Sequence, residues 1–416
     1  MQITIIRFQR SFAASIAAIF ILVAIPIASA ALPSFTGLGK FSGDNSSYAY
    51  GISDDGSTVV GASYTNPNVS GSVIRAFRWT ASTGMASIGD LPGGSQVSVA
   101  YDVSADGSVI AGHSSSALSY SHHPVYNEPF RWTASGGMSG LGYIPGTNGQ
   151  YGSAHGVSGN GQVVVGSSTG NNGAHPFRWT TTAGMSNLGD LDNHDGGNQD
   201  YASGINFDGT AIVGMAAIGY NRTAFRWTPG SGMQSLGTLP GAAYPESFAS
   251  DVSANGNVVV GSGNSADGGI QAFRWTPTTG MTGLGYLPGG RTSSDAAAVS
   301  ADGLIIVGTA INAANASKAV RWDPLLGIQS IQDLLIASGL GPALTGWQLT
   351  HATGISADGQ TISGWGNSPT GIQGWVATIP RAEVVPEPSS FALGICGSLA
   401  VVAVVRRRSR RAAPAA

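Results

Sequence analysis

Short runs that alternate apolar and small polar residues fill this chain between residues 35 and 379, each closed by Gly, Asp, Asn or Pro. Alternation with period two sends successive side chains to opposite faces, so short runs bounded by turn residues predict strands. Residues 48–91 show the unit. Tyr48-Ala49-Tyr50-Gly51-Ile52-Ser53 predicts one strand, Asp54-Asp55-Gly56 a turn, and Thr58-Val59-Val60-Gly61-Ala62-Ser63 a second strand. After a longer loop, Arg75-Ala76-Phe77-Arg78-Trp79-Thr80 predicts a third, and Met85-Ala86-Ser87-Ile88-Gly89-Asp90-Leu91 a fourth beyond Gly84. Asp-Gly between β-branched runs is a hairpin signal, because Gly accepts the positive φ of the turn. The four strands are labelled a, b, c and d.

The unit recurs. Arg-Trp pairs place tryptophans at 79, 132, 179, 227, 275 and 322, spaced 53, 47, 48, 48 and 47 residues apart. A second beat, Ser-x-Asp/Asn-Gly, ends at Gly56, Gly107, Gly161, Gly209, Gly256, Gly303 and Gly359, with Asn206 replacing Ser in the fourth copy. A period near fifty residues means an array of one supersecondary unit. Triplets a-b-c occur seven times, the last at 351–356, 360–365 and 373–379, but strand d follows only the first six. The missing d stands at the other end, in residues 35–41. A chain that starts with d and stops with c closes on itself and removes its open edges. The expectation is an all-β fold: a seven-bladed β-propeller of four-stranded antiparallel blades, closed by the N-terminal strand joining the last blade. A linear β-solenoid is the alternative, and a 35–41 segment remote from 373–379 would exclude the disc.

Composition and the two ends supply an address. Of 416 residues 62 are Gly, only 10% are charged, and the glycines fall at fixed repeat positions, which is turn chemistry. Residues 1–30 read as a signal peptide: Arg7 and Arg10, an apolar run over 12–27, then Ala28-Ser29-Ala30. The propeller is expected over 31–382 and a tail over 383–416. In that tail Pro386-Glu387-Pro388 precedes an apolar span at 391–405, short for a bilayer, and five arginines at 406–408, 410 and 411. With leader and basic end set aside, 12 Lys and Arg face 22 Asp and Glu, a net charge of about −10 that disfavours nucleic acid as a partner. Cys396, the only cysteine, lies in the apolar span, so the body is expected to hold together by core burial without disulfides.

The ordered elements Pro-Glu-Pro, apolar span and basic cluster resemble the PEP-CTERM sorting tail of Gram-negative bacteria that make exopolysaccharide. The resemblance implies processing at Pro386, Glu387 and Pro388 by an exosortase-type membrane protease. It further implies transient anchoring in the inner membrane, then delivery to the outer surface or extracellular matrix. The repeat core is similar to the HAF family of extracellular repeats, with Gln271-Ala272-Phe273-Arg274-Trp275-Thr276 followed by Gly280-Met281, Leu284-Gly285 and Leu287-Pro288-Gly289-Gly290. Ala174-His175-Pro176-Phe177-Arg178-Trp179 departs by one Pro, and Gly374-Trp375-Val376-Ala377-Thr378 has lost Arg. This resemblance implies a secreted bacterial repeat protein and brings no catalytic or binding residues.

The repeated Arg-Trp pairs are expected to be structural, Trp between blades and Arg on turn carboxylates or strand-end carbonyls. The Ser-x-Asp-Gly turns loosely resemble the Asp-box of sialidases, itself a folding element. All long or irregular segments are b–c or d–a connections, at 64–74, 113–128, 192–200 and 242–246, and these share one face of the disc. Loop diversity on one face of a rigid scaffold is how binding surfaces are built. Tyr48, Tyr101, Tyr151, Tyr201, Tyr244 and Trp347 lie near the starts of a strands and form the candidate ligand rim, with Tyr120 and Tyr126 in the longest loop. Aromatic faces suit the CH faces of sugar rings.

No cofactor is expected. Residues 190–200 are oxygen-rich, as calcium requires, but lack EF-hand spacing, and the adjacent His122 and His123 make a poor metal pair. Apart from Glu387, only Glu128, Glu246 and Glu383 are glutamates, and no nucleophile elbow, zinc helix or phosphate loop occurs. The expected function is non-enzymatic binding of glycan or protein through loops on one propeller face. The alternative is a glycan-directed hydrolase or lyase, which would place paired Asp or Glu inside the channel.

Overall fold

Every Ser-x-Asp/Asn-Gly segment forms the same turn in the computed structural model, which describes residues 31–66, 71–118, 127–149, 151–170, 173–192 and 199–381. In the first copy the Ser53 hydroxyl donates to Asp55 Oδ1 at 2.6 Å and accepts the Thr58 N–H at 3.0 Å, while Gly56 sits at φ +72°. The side chains thus satisfy the turn's own backbone, and Gly supplies the left-handed residue at no steric cost. Asn206 substitutes for Ser in the fourth copy by accepting the Thr210 and Ala211 N–H groups at 2.9 and 2.8 Å.

The strands these turns join make five four-stranded sheets and one of eight. The eight-stranded sheet consists of two antiparallel groups of four, joined by a single parallel contact of Ile74 with Val97. Its second a strand begins early, at Gly93–Val103. The d strands are short, four residues in Gly84–Ser87, Gly137–Gly140 and their equivalents. The sixth d–a connection carries a helical insertion that the repeat did not foretell, Ile331–Leu335 followed by tighter and wider turns to Leu344.

The N-terminal strand Ser34–Gly39 pairs antiparallel with Gly371–Thr378, Phe35 opposite Ala377 and Gly37 opposite Trp375. The first d thus completes the last sheet, as the out-of-phase ends required, and the architecture is a β-propeller. Backbone hydrogen bonds then link consecutive turns around the axis. Asp54 N–H reaches Ala105 O, Ala105 reaches Gly159, Asn160 reaches Phe207, Ala254 reaches Ala301, and Ala301 reaches Ala357. Ala357 N–H returns to Asp54 O at 2.8 Å. At the fourth turn Asn206 Nδ2 supplies the link, donating to Ala254 O at 3.2 Å.

Between sheets lies the core. Phe77, Phe130, Phe177, Phe225 and Phe273 are completely buried, one in each of the first five units; Trp79 joins the Phe77 cluster as a buried member, and the other four neighbouring Trp pack against theirs. The Arg of the pair reaches forward to the next unit's turn: Arg78, Arg131, Arg226 and Arg274 donate to the carbonyls of Gly107, Gly161, Gly256 and Gly303. Arg321 does not reach its next turn at Gly359, against which the Arg381 guanidinium lies, and holds Asp323 at 2.9 Å and the Ile379 carbonyl at 3.4 Å instead. These pairs are inter-sheet staples, in keeping with their structural reading.

Candidate functional site at the channel and its mouth

Each a strand carries a β-bulge at one fixed position. The ladder slips between Ala49 and Gly51, Ala100 and Asp102, Ala154 and Gly156, Ala202 and Gly204, Ala249 and Asp251, Ala296 and Ala298, and Ala352 and Gly354. The extra residue is Tyr50, Tyr101, His155, Ser203, Ser250, Ala297 or Thr353, and all of these line the central channel. A bulge re-aims one side chain, and here it aims each one at the axis. The Gly of the facing b strand makes this possible: a Cβ on Gly61 would stand 2.0 Å from Tyr48 O and 2.8 Å from the Phe77 ring.

The channel is asymmetric. Tyr50, Tyr101 and His155 fill one side, with ring centroids 5.4 and 5.6 Å apart, whereas Ser203, Ser250, Ala297 and Thr353 leave the other side open. Side chains at this level also stitch one a strand to the next. His155 Nδ1 donates to Ala202 O at 3.1 Å, Ser203 Oγ to Ala249 O at 2.6 Å, and Thr353 Oγ1 to Ala49 O at 3.0 Å. A carbonyl only accepts, so the His155 proton sits on Nδ1, and burial holds this ring and that of His113 neutral, His113 pushed down to about 3.

One residue further along, Asp102 and Asp251 project into the channel. Asp102 accepts the Val103 and Val157 N–H groups, both at 2.8 Å; Asp251 accepts those of Val252 and Val299 at 2.7 and 2.9 Å. Each carboxylate therefore ties its own bulge to the backbone of the following unit. Burial pushes their pKa values up to about 7 and about 6 against those hydrogen bonds, and Asp251 adds repulsion at Asp102. The channel segment they line encloses about 200 Å³.

Of the rim expected from sequence, Tyr48, Tyr101 and Tyr201 belong to one chain of touching rings, Tyr64–Tyr48–Tyr50–Tyr101–His155–Tyr201, that curves around the mouth. Trp365 extends it, standing on Tyr48 at 5.1 Å and stacked on His351 at 3.7 Å. Tyr151 and Tyr201 share a cavity of about 630 Å³ with His155, Phe248, Asp200 and Arg222. Tyr244 stands apart, 81% exposed, and Trp347 packs edge-on against Phe35 over the closing strand. Tyr120, Tyr126, His122, His123, most of the oxygen-rich 190–200 loop, the leader and Pro386, Glu387 and Pro388 lie outside the described residues.

Sequence reading missed the bulge layer, the carboxylates Asp102 and Asp251, and Arg222. The signal for the first two was present: the residue before Gly51, Asp102, Gly156, Gly204, Asp251, Ala298 and Gly354 breaks an otherwise regular alternation. Arg222 carries no repeat signature. Among the described residues no group of three or more His, Cys, Asp or Glu is placed to hold a metal ion, and no helix is long and apolar enough to cross a membrane.

No family model matches the chain, and no curated protein matches it by sequence. Solved structures do resemble it. Oligogalacturonate lyase from Vibrio parahaemolyticus aligns with a TM-score of 0.53 at 9% identity, covering 84% of this chain and 98% of that one. The β-propeller domain of the Trilobed protease from Pyrococcus furiosus gives 0.48 at 9% identity, over 80% and 95% of the two chains. TolB from Acinetobacter baumannii gives 0.43 at 14% identity over 65% of this chain, which spans 62% of that protein's length. At such identities the likeness to the lyase speaks to the propeller fold alone.

Proposed function

We propose that this chain is an exported seven-bladed propeller of the Gram-negative cell surface or extracellular matrix, and that it binds glycan, without catalysis, at the channel mouth. The observation that carries the reading is the cavity shared by Tyr151, Tyr201 and Phe248 with the polar Asp200 and Arg222. A concave site of several hundred Å³ with aromatic walls and a few polar groups suits a sugar ring, whose CH faces stack while its hydroxyls hydrogen-bond. The count of seven rests on the seven bulged a strands around one channel.

Orientation supports the same reading. Ser34 pairs with Thr378 beside the last turn, and Arg381 binds Asp302 of the preceding turn at 2.5 Å. The described body therefore begins and ends on the turn face, and the cavity opens on the loop face. A body tethered through the residues after Arg381 would present the cavity outward. The PEP-CTERM-like tail makes an exosortase-type protease the expected processing partner, acting at Pro386, Glu387 and Pro388.

A hydrolase or lyase would need a channel carboxylate free to exchange protons with a substrate. Of the three carboxylates that line the channel, Asp54, Asp102 and Asp251, the last two are each occupied by two backbone N–H groups. The test is direct binding of the purified full chain to a panel of bacterial exopolysaccharides, with and without calcium, alongside product analysis. Saturable binding without new reducing or unsaturated ends is expected; turnover of any polymer would replace the binding reading with the enzymatic one.

A further inference from the structure

Arg222 is a cation without a partner on an acidic body. It lies near the start of the c strand Asn221–Thr228, opposite Ala217, and its side chain is exposed. By strand alternation it shares a face with Arg226, whose guanidinium is bound to the next turn at 2.9 Å. Four residues nearer the mouth there is no turn to bind. Among the described residues the ion pairs are Arg75 with Asp44, Arg321 with Asp323 and Arg381 with Asp302; Arg222 makes none.

The nearest carboxyl in the cavity does not neutralise it. Asp200 is 2% exposed, and its Oδ1 accepts the Ala217 N–H at 3.0 Å, so it is committed to the backbone of the neighbouring b strand. Burial, helped by the negative charges of Asp190 and Asp192, pushes the Asp200 carboxyl up to about 6. Asp192 is itself held by the Gly219 N–H at 2.8 Å. Arg222 lines both the main cavity and a smaller one of about 250 Å³ beside it, which is bordered by the fully exposed Tyr220. A guanidinium presents a planar fork that matches a carboxylate with two parallel hydrogen bonds. Tyr151 and Tyr201 offer faces for the ring that bears that carboxylate.

We infer that the mouth cavity takes a carboxylate-bearing saccharide, a uronate unit whose carboxylate binds Arg222 and whose ring lies against Tyr151 and Tyr201. This rests on the glycan reading of the same cavity and adds its charge class. The experiment titrates purified full chain with polygalacturonate, with the same polymer fully methyl-esterified, and with dextran sulfate, for wild type, Arg222→Gln, Arg222→Lys and Arg291→Gln. Arg291 is an exposed arginine that lines neither cavity, and it controls for bulk charge. Expected is tenfold or greater preference for the acid over its ester, lost in Arg222→Gln, partly kept in Arg222→Lys and unchanged in Arg291→Gln. Equal binding of acid and ester, untouched by Arg222→Gln, would overturn the carboxylate assignment and leave glycan binding standing. Tighter binding of dextran sulfate than of polygalacturonate overturns it too. Failure of wild type to bind any of the three polymers counts against both. Thermal unfolding of each variant within about 2 °C of wild type, expected for an exposed side chain, keeps a folding defect from imitating lost binding.

Discussion

The Ser47 hydroxyl accepts the backbone N–H of Gly374 at 3.1 Å and donates to Gly39 O at 2.6 Å, bridging the first a strand to the last c strand and to the N-terminal d strand. The same stitch recurs between consecutive units. Ser98 holds Ala76 N–H and Gly89 O, Ser247 holds Ala224 and Gly237, and Ser294 holds Ala272 and Gly285. The closing junction is therefore built like an interior one. Ser47→Ala and Ser98→Ala each leave a buried N–H without its acceptor and should each cost ~1–2 kcal/mol. Matched losses of melting temperature in scanning calorimetry are expected; a closing variant that costs nothing would mean the ring is held shut elsewhere.

Deleting residues 31–41 tests closure more severely. The loss strips Leu38 and Phe41 from the cluster that also holds Val59, Phe77 and Val376, and it bares the edge of Gly371–Thr378. An unpaired edge strand is a template for association. The truncated chain should unfold at least 10 °C lower and elute as oligomers in size-exclusion chromatography.

The b-strand glycine is a steric requirement of the bulge. Gly61→Ala puts a Cβ against the Tyr48 carbonyl and the Phe77 ring, neither of which can retreat, at a cost of ~3 kcal/mol. Gly84, with φ +66° and nothing within 4 Å of a Cβ, should cost only ~1 kcal/mol on the same substitution. Denaturant unfolding of the two variants ranks them; equal losses would show that the bulge relaxes.

Asp102 and Asp251 give the fold an acid-favouring stability. Their folded pKa values, about 7 and about 6, lie above the ordinary 3.8, so the native state binds more protons than the unfolded chain across that interval. Their contribution is complete below pH 4 and is lost as pH rises through 6 and 7. The neutral buried rings of His113, His155 and His351 oppose this below pH 6.5, so the carboxylates' share is read above it: melting temperature should fall by ~1 °C between pH 6.5 and pH 8. Asp102→Asn should flatten that slope while lowering stability at pH 5, because the amide keeps one acceptor for two N–H groups. An unchanged slope would assign the pH dependence to other groups.

The propeller was legible because its determinants are local and periodic: turn residues every fifty positions, alternation within runs, and a d strand displaced to the opposite end. Position in the ring was legible too, since connection length alone separates the loop face from the turn face. The site was legible only in part. Tyr48, Tyr101 and Tyr201 were found because aromatic residues at strand starts attract notice, yet what unites them is the bulge layer of Tyr50 and His155. A bulge shifts every later side chain to the other face, and no composition signal marks it. Arg222 carries no pattern in the sequence, because its meaning lies in having no ion-pair partner among the described residues, which only three dimensions reveal.

Tyr151 and Tyr201 should behave as binding residues, in contrast to Tyr50, whose hydroxyl lies 3.3 Å from that of Tyr64 deep in the ring stack. Tyr50→Ala removes a half-buried ring that meets Tyr48 and Tyr101 and bonds Tyr64 through its hydroxyl, and should cost ~2 kcal/mol or more of stability. Tyr201→Ala removes a half-buried ring that meets His155 edge-on at 6.0 Å and should cost ~1 kcal/mol. On a polysaccharide that wild type binds, Tyr201→Ala should weaken affinity tenfold or more, and Tyr201→Phe, which keeps the stacking face, should recover most of it. Tyr244→Ala, far out on the surface, should change neither quantity. The discriminating measurement pairs titration calorimetry with thermal unfolding for all four variants. Loss of binding that tracks loss of stability across the series would reassign the rim tyrosines to packing, whereas loss confined to Tyr201→Ala locates sugar contact at the cavity between Tyr151 and Tyr201.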